Sequence, residues 1–186
     1  MIFSRPLYYI LSVKDHKHNK ENILSKISQD KNSSFCKNLD ITDDYSIISN
    51  TDYNNQGFSS WFSEAFSLRD QLNYKEFISK KYGKKNLEII ASWFNQYYKM
   101  SGSEHPFHNH AGEEFSVDLV SVYYVELEDK SLRTILKHPR TGKEIVPRVK
   151  EGQILTFDSR VDHRSPRNYT DTRKTIISFN VQLLAQ

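Results

Sequence analysis

The sequence predicts a mainly β chain with some α: an antiparallel sandwich or jelly roll with N-terminal helices packed on one face. Three observations carry this reading. From Asn86 onward, short runs of β-branched and aromatic residues are separated by turn signals. Upstream of that point, apolar residues recur at helical spacing. The chain also holds 11 Tyr, 11 Phe and 2 Trp, more aromatic surface than a chain unable to collapse would carry. Its 186 residues fit one domain, 1–186, large enough to bury a core. Within it, 1–85 supplies an N-terminal strand and supporting helices, and 86–186 the strand-rich half.

The elements follow in order. Pro6 to Val13 reads as the first strand. Asn19 to Asp30 places Ile23, Leu24 and Ile27 on one helical face. Lys31 to Asn55 is polar and turn-like, with a short strand at Tyr45 to Ile48. Ser59 to Leu72, carrying Trp61, Phe62, Phe66 and Leu68, is a second amphipathic helix. Tyr74 to Tyr82 is a third, stopped by Gly83. Strands are then expected at Leu87 to Met100, Val117 to Glu126, Leu132 to Lys137, Glu144 to Val149, Gln153 to Phe157 and Lys174 to Leu184. The turns between them are marked by Glu128-Asp129-Lys130, Pro139-Arg140-Thr141-Gly142 and Glu151-Gly152.

Composition excludes several function classes. The net charge of +3 is small and the basic residues are dispersed, so no nucleic-acid-binding stripe is expected. The apolar run Ile2 to Val13 is broken by Ser4, Arg5 and Pro6, too short for a membrane span and without a signal peptide's charged start. A single cysteine, Cys36, permits no intrachain disulfide framework, and a reducing, cytoplasmic setting is the expectation. An isologous homodimer through the front half is compatible with the pattern.

The chemistry concentrates in His108-Asn109-His110, His163 and Arg173. Histidines at i and i+2 on a strand share a face, and a third from a later strand can close a metal site. Imidazole suits Fe, Zn, Cu and Ni. An arginine ten residues after the third histidine can hold an anionic co-substrate. By the same alternation, His105 is expected to face away from His108 and His110. His16 and His18 lie in a lysine-rich run and read as a solvated turn. His138, before Pro139, has no evident partner.

At these residues the chain resembles the double-stranded β-helix 2-oxoglutarate- and Fe(II)-dependent oxygenases, and among them the small members of marine bacteria and their phages. The resemblance covers about residues 90 to 184. It rests on Trp93-Phe94-Asn95-Gln96-Tyr97, His108-Asn109-His110, Ser121 to Val125, Pro147 and Gly152 to Phe157. It continues through Asp162-His163, Arg173-Lys174-Thr175 and Ile177 to Asn180. It implies an enzyme that hydroxylates a substrate while decarboxylating 2-oxoglutarate to succinate, with Fe(II), 2-oxoglutarate and O2 as cofactors. It further implies His108 and His163 as iron ligands and Arg173 as the partner of the far 2-oxoglutarate carboxylate. Thr175, two residues on along the same strand face, adds a hydroxyl, and Tyr97 or Tyr98 completes the pocket.

The family pattern is His-x-Asp/Glu followed by His, whereas here His110 stands at the carboxylate position. Three readings stay open: His110 itself binds the metal; Glu113, Glu114 or Asp118 supplies a carboxylate; or the site has lost its oxygenase chemistry. Facing favours the first. The substrate is a peptidyl residue such as proline, or a small metabolite. Two alternatives compete. His108, His110, Glu114 and His163 also suit a cupin-like metalloprotein that does not use 2-oxoglutarate. The chain can also be an inactive jelly-roll binding module.

Overall fold

The computed structural model describes residues 6–29, 60–84, 86–98, 100, 104–111 and 117–184. The expected strand at Tyr45 to Ile48, Cys36, Glu113 and Glu114 lie outside the described residues. The described chain runs β1 (Tyr8–Ser12), α1 (His16–Gln29), α2 (Ser60–Ala65), α3 (Leu68–Tyr82), β2 (Leu87–Tyr97) and β3 (His105–His108). It continues through β4 (Leu119–Leu127), a 3-10 turn (Lys130–Leu132), β5 (Ile135–Lys137), β6 (Glu144–Ile145), β7 (Gln153–Asp158), β8 (His163–Ser165) and β9 (Lys174–Leu183). The strands form two sheets, ordered β1-β7-β4-β9-β2 and β3-β8-β5-β6. Their pairings are antiparallel throughout.

The long strands of the larger sheet are buried on both faces, which explains why β4 and β9 read as nearly continuous apolar runs. Alternation sorts their side chains. Val120, Val122 and Tyr124 join Leu155, Phe157, Ile176 and the smaller sheet's Leu136 in one core cluster, between the sheets. Leu119, Tyr123, Val125, Ile177, Phe179 and Val181 join Ile23, Ile27, Phe62, Phe66, Tyr74 and Ile78 of the helical front half in the other. A bulge between Tyr124 and Glu126 keeps Leu127 in the inter-sheet cluster although its parity matches Tyr123 and Val125, because the extra residue resets the alternation.

The helix boundaries differ from the expected ones. The single helix anticipated over 59–72 breaks at residues 66–67, and α3 starts at Leu68. The cause is local: the Ser67 side chain accepts the Asp70 backbone N–H at 3.2 Å, an N-cap. Gly83 ends α3 as expected, at φ 68°, its N–H donating to Ser79 at 2.8 Å. His16, expected in a solvated turn, instead opens α1 and is half-buried: Nδ1 meets Tyr123 Oη at 2.7 Å and Nε2 lies 3.3 Å from Glu151.

Candidate metal centre

The site is built at one end of the inter-sheet space. His108 closes β3 and pairs in register with His163, the first residue of β8. His110 lies just beyond the end of β3, where its backbone N–H donates to the Ser159 carbonyl at 2.9 Å and pins it to the turn after β7. The ligand atoms of His108, His110 and His163 all lie within 4.8 Å of one another. The three imidazoles come from segments more than fifty residues apart, and convergent polar groups at that spacing match the needs of one divalent ion.

Hydrogen bonds set the tautomers. His108 Nδ1 is 2.9 Å from the Pro106 carbonyl, and His163 Nδ1 is 3.0 Å from the Val161 carbonyl. A carbonyl only accepts, so each Nδ1 carries the proton and each Nε2 keeps its lone pair for a metal. His110 is held by a ring stack on Trp93, with centroids 5.9 Å apart and planes 13° apart, beside the Asn180 side chain. Burial holds all three imidazoles below their ordinary proton affinity; His110 is lowered to about 4, by burial first and then by His108. They are therefore neutral near pH 7, the state that ligates.

His105 departs from expectation. It stacks on His108 with centroids 3.9 Å apart and planes 11° apart, and it lines the same cavity. The register shift between His105 and His108 in the β3–β8 pairing removes the simple odd-even rule. Asp162 does not orient His163; its carboxylate accepts from Asn109 Nδ2 at 2.8 Å and ties the segment after β3 to the one before β8. Asp118 is committed to the Leu183 backbone N–H at 2.7 Å and does not join the histidines. Among the described residues the cluster contains no carboxylate.

Arg173 and Thr175, the residues expected at the co-substrate, do not line the cavity of the histidines. Both turn to the outer side of β9. Arg173 makes a two-point pair with Glu126, at 2.9 and 3.0 Å. The Thr175 hydroxyl donates to the same carboxylate and accepts from Gln96 at 3.2 Å. Cross-strand pairing decides the facing: Thr175 opposes Gln96 and Glu126, whereas Lys174 opposes Tyr97 and Leu127. Lys174 is the basic side chain that points inward, and burial lowers its proton affinity from the ordinary lysine range to about 7. It is fully buried, its ammonium donates to Ser165 Oγ at 2.8 Å, and it sits 4.9 Å from the Tyr97 ring centroid. Tyr97 lines the cavity, while the Tyr98 hydroxyl donates to Gln96 Oε1 on the other side.

The cavity is walled by Trp93, Asn95, Tyr97, the histidines, Ile176 and Ser178 and encloses about 20 Å3 of free space. Asn95 Nδ2 is buried there without a hydrogen-bond partner among the described residues, a donor available to a ligand oxygen. A divalent ion fits the three imidazoles, and Lys174 and Asn95 each place a polar group on the inner side. The sequence held a signal for both: Trp93, Asn95 and Tyr97 alternate on β2, and Lys174, Ile176 and Ser178 on β9.

No family model matches the sequence, and no curated protein does. Solved structures do. A 2OG-Fe(II) oxygenase family oxidoreductase from Burkholderia pseudomallei is 14% identical, with a TM-score of 0.51 over 59% of this chain and 50% of that one. This chain thus spans half the length of that protein. A viral collagen prolyl hydroxylase from Paramecium Bursaria Chlorella virus-1 is 11% identical with a TM-score of 0.57, each chain covered fully. A Pseudomonas putida prolyl-4-hydroxylase is 11% identical with a TM-score of 0.58 over 96% of this chain and 94% of that one. At these identities the likeness is one of backbone architecture, and the site must be judged on its own residues. The chain has the fold of the 2OG-Fe(II) oxygenases, as the resemblance in its sequence implied.

Proposed function

We propose that this protein is an Fe(II)- and 2-oxoglutarate-dependent oxygenase, with His108, His110 and His163 holding the metal and Lys174 holding the far carboxylate of 2-oxoglutarate. The observation that carries the reading is the placement of these groups between the sheets: three neutral imidazoles converge in the cavity, and a fully buried lysine on the same inner face donates to Ser165, which lines it. Ser165, which accepts from Lys174, lies two residues along β8 from His163, roughly 7 Å by strand rise. That step suits a five-carbon dicarboxylate. When bound, the metal and keto acid together supply the oxidising chemistry.

The chain's own residues bind, orient and exclude water. His108 and His163 present Nε2 because the Pro106 and Val161 carbonyls fix their tautomers. Trp93 keeps His110 in plane and walls the site. Asn95 donates an N–H to a carboxylate oxygen, and Tyr97 closes the pocket beneath Lys174. The free space is smaller than the co-substrate, so side chains at the rim must move on binding, with half-exposed His105 and Arg164 the nearest to solvent. The substrate proposed is a peptidyl residue such as proline, or a small metabolite.

A metalloprotein that does not use 2-oxoglutarate is the second reading, favoured by the all-imidazole ligand set. Against it stands buried Lys174, which has no carboxylate partner among the described residues and is satisfied by an anion entering the cavity. Anaerobic titration with Fe(II) and then 2-oxoglutarate, followed by visible absorption, separates the two. A charge-transfer band requiring both components supports the oxygenase. Iron binding without such a band moves the assignment to the second reading, and absence of metal binding removes both.

A further inference from the structure

Building on the proposed function, we propose that a groove beside the metal centre docks an acidic peptide, the part of the substrate that flanks the residue presented to the histidines. The groove is a space of about 620 Å3 walled by Pro6, Leu7, His138, Arg140, Arg160 and Val161. It lies between segments of the two sheets. β1, which follows Leu7, is the edge strand of the larger sheet, and His138 to Arg140 belong to the turn joining β5 to β6 at the edge of the smaller one. The turn after β7 lies between the groove and the metal centre. Its Ser159 carbonyl accepts from the His110 backbone N–H at 2.9 Å, and its Val161 carbonyl holds His163 Nδ1 at 3.0 Å. Val161 therefore walls the groove while its carbonyl fixes a histidine of the site.

The groove sets donors beside apolar surface. His138 Nδ1 accepts from the Arg140 and Thr141 backbone N–H groups at 3.2 and 3.3 Å, so the ring proton sits on Nε2, a fixed donor. Arg160 is braced by Asp158 through two bonds, at 2.8 and 2.7 Å, which leaves its Nη1 for another acceptor. Arg140 is exposed and has no carboxylate partner among the described residues. Two guanidiniums against one carboxylate leave a positive charge in surplus, and an acceptor-only carboxylate suits these donors. Pro6, Leu7 and Val161 supply apolar surface for the rest of a peptide. The occupant is a chain rather than a small molecule because the two spaces are separate. The histidines' cavity holds about 20 Å3 of free space, so a ligand that fills the groove and also reaches the metal centre must be extended. Val161 and His163 are at most roughly 7 Å apart along the chain, the span of about two residues of an extended peptide.

The test measures binding of short dye-labelled peptides to the full chain by fluorescence anisotropy, in EDTA so that the metal centre takes no part. One peptide alternates Pro and Glu, and its counterpart alternates Pro and Gln. The acidic peptide should bind at least about fivefold more tightly, the upper range for one exposed charge contact. Equal affinities overturn the inference. Arg140→Ala should remove most of that preference, whereas Lys80→Ala, on the exposed side of α3, should keep it. Equal losses in the two variants mean attraction by net charge and overturn the groove. Free glutamate at the peptide's own concentration should not displace it; displacement makes this a small-anion site and overturns the peptide assignment. With Mn(II) bound, the proton resonances of the bound acidic peptide should broaden. Unbroadened resonances on a Mn(II)-loaded chain sever the groove from the metal centre and overturn the substrate role. If metal and 2-oxoglutarate bind and the acidic peptide does not, only this inference fails. If the peptide binds and no metal does, the function proposed above fails while the docking groove stands.

Discussion

At the residue scale, the decisive contrast lies between two adjacent cations. Arg173 is half-exposed in a surface-side pair with Glu126, and Lys174 is buried under Tyr97. Lys174→Met should therefore weaken 2-oxoglutarate binding to the metal-loaded protein by a hundredfold or so, the order expected when a charge-assisted contact of about 2–3 kcal/mol is lost. Arg173→Met should change it by less than about threefold, since exposed pairs contribute little. Calorimetric titration of both variants checks this, and the reverse ranking would restore the arginine assignment. His163→Ala should abolish stoichiometric metal binding, read by metal analysis after desalting, because two imidazoles remain.

The same burial gives a pH signature. His110 is lowered to about 4 from the ordinary histidine range. In the metal-free protein the unfolded chain binds that proton more readily than the folded one between about pH 6.5 and 4. Stability should thus rise with pH across that window and be lost as pH falls through it. Melting curves of metal-free protein from pH 7 to 4 test it. His110→Phe, which keeps the ring but cannot ionise, should flatten the slope.

At the element scale, two local devices hold the helical half against the sheet. Gly152 turns into β7 at φ 80°, and a Cβ there would lie 2.9 Å from the His16 ring. Both the left-handed backbone and the close approach exclude a larger residue. Gly152→Ala should cost about 2 kcal/mol or more, visible as a lower denaturant midpoint. Ser67→Ala should cost about 1 kcal/mol through loss of the α3 cap. Most elements were legible because each rests on local signals: the helical spacing of Ile23 and Ile27, the stop at Gly83, the Glu151-Gly152 turn. The break between α2 and α3 was misplaced because Ser67 and Asp70 formed a cap inside an otherwise continuous apolar pattern. The expected strand over 144–149 shrank to two residues, as only Leu136 and Lys137 of β5 offer it cross-strand partners.

At the scale of the whole molecule, the cavity of the histidines is an assembly of distant segments. β2, β9, β3 and β8 each contribute one wall, and no two adjoining segments of sequence would make it alone. Ligand binding should accordingly stabilise the entire domain: a divalent ion with 2-oxoglutarate, each at about one hundred times its dissociation constant, should raise unfolding stability by about 2.7 kcal/mol or more per site. A melting temperature unchanged by saturating metal and keto acid would exclude a preformed site.

The sequence by itself determined the fold class, the order of its elements and the histidines. These follow from periodicity, turn chemistry and the spacing of a few uncommon side chains. It also indicated which residues of β9 share a face, because strand side chains alternate. Only the tertiary structure decided which of the two faces looks inward. A shift of one residue exchanges every side chain between the faces, and the partners that fix that shift, Tyr97 opposite Lys174 and Glu126 opposite Thr175, lie about fifty to eighty residues away along the chain. The same long-range pairing, with its irregularity between His105 and His108, brought His105 into the cavity. Local pattern thus selected the histidines, and non-local hydrogen bonding selected which basic side chain of β9 faces inward.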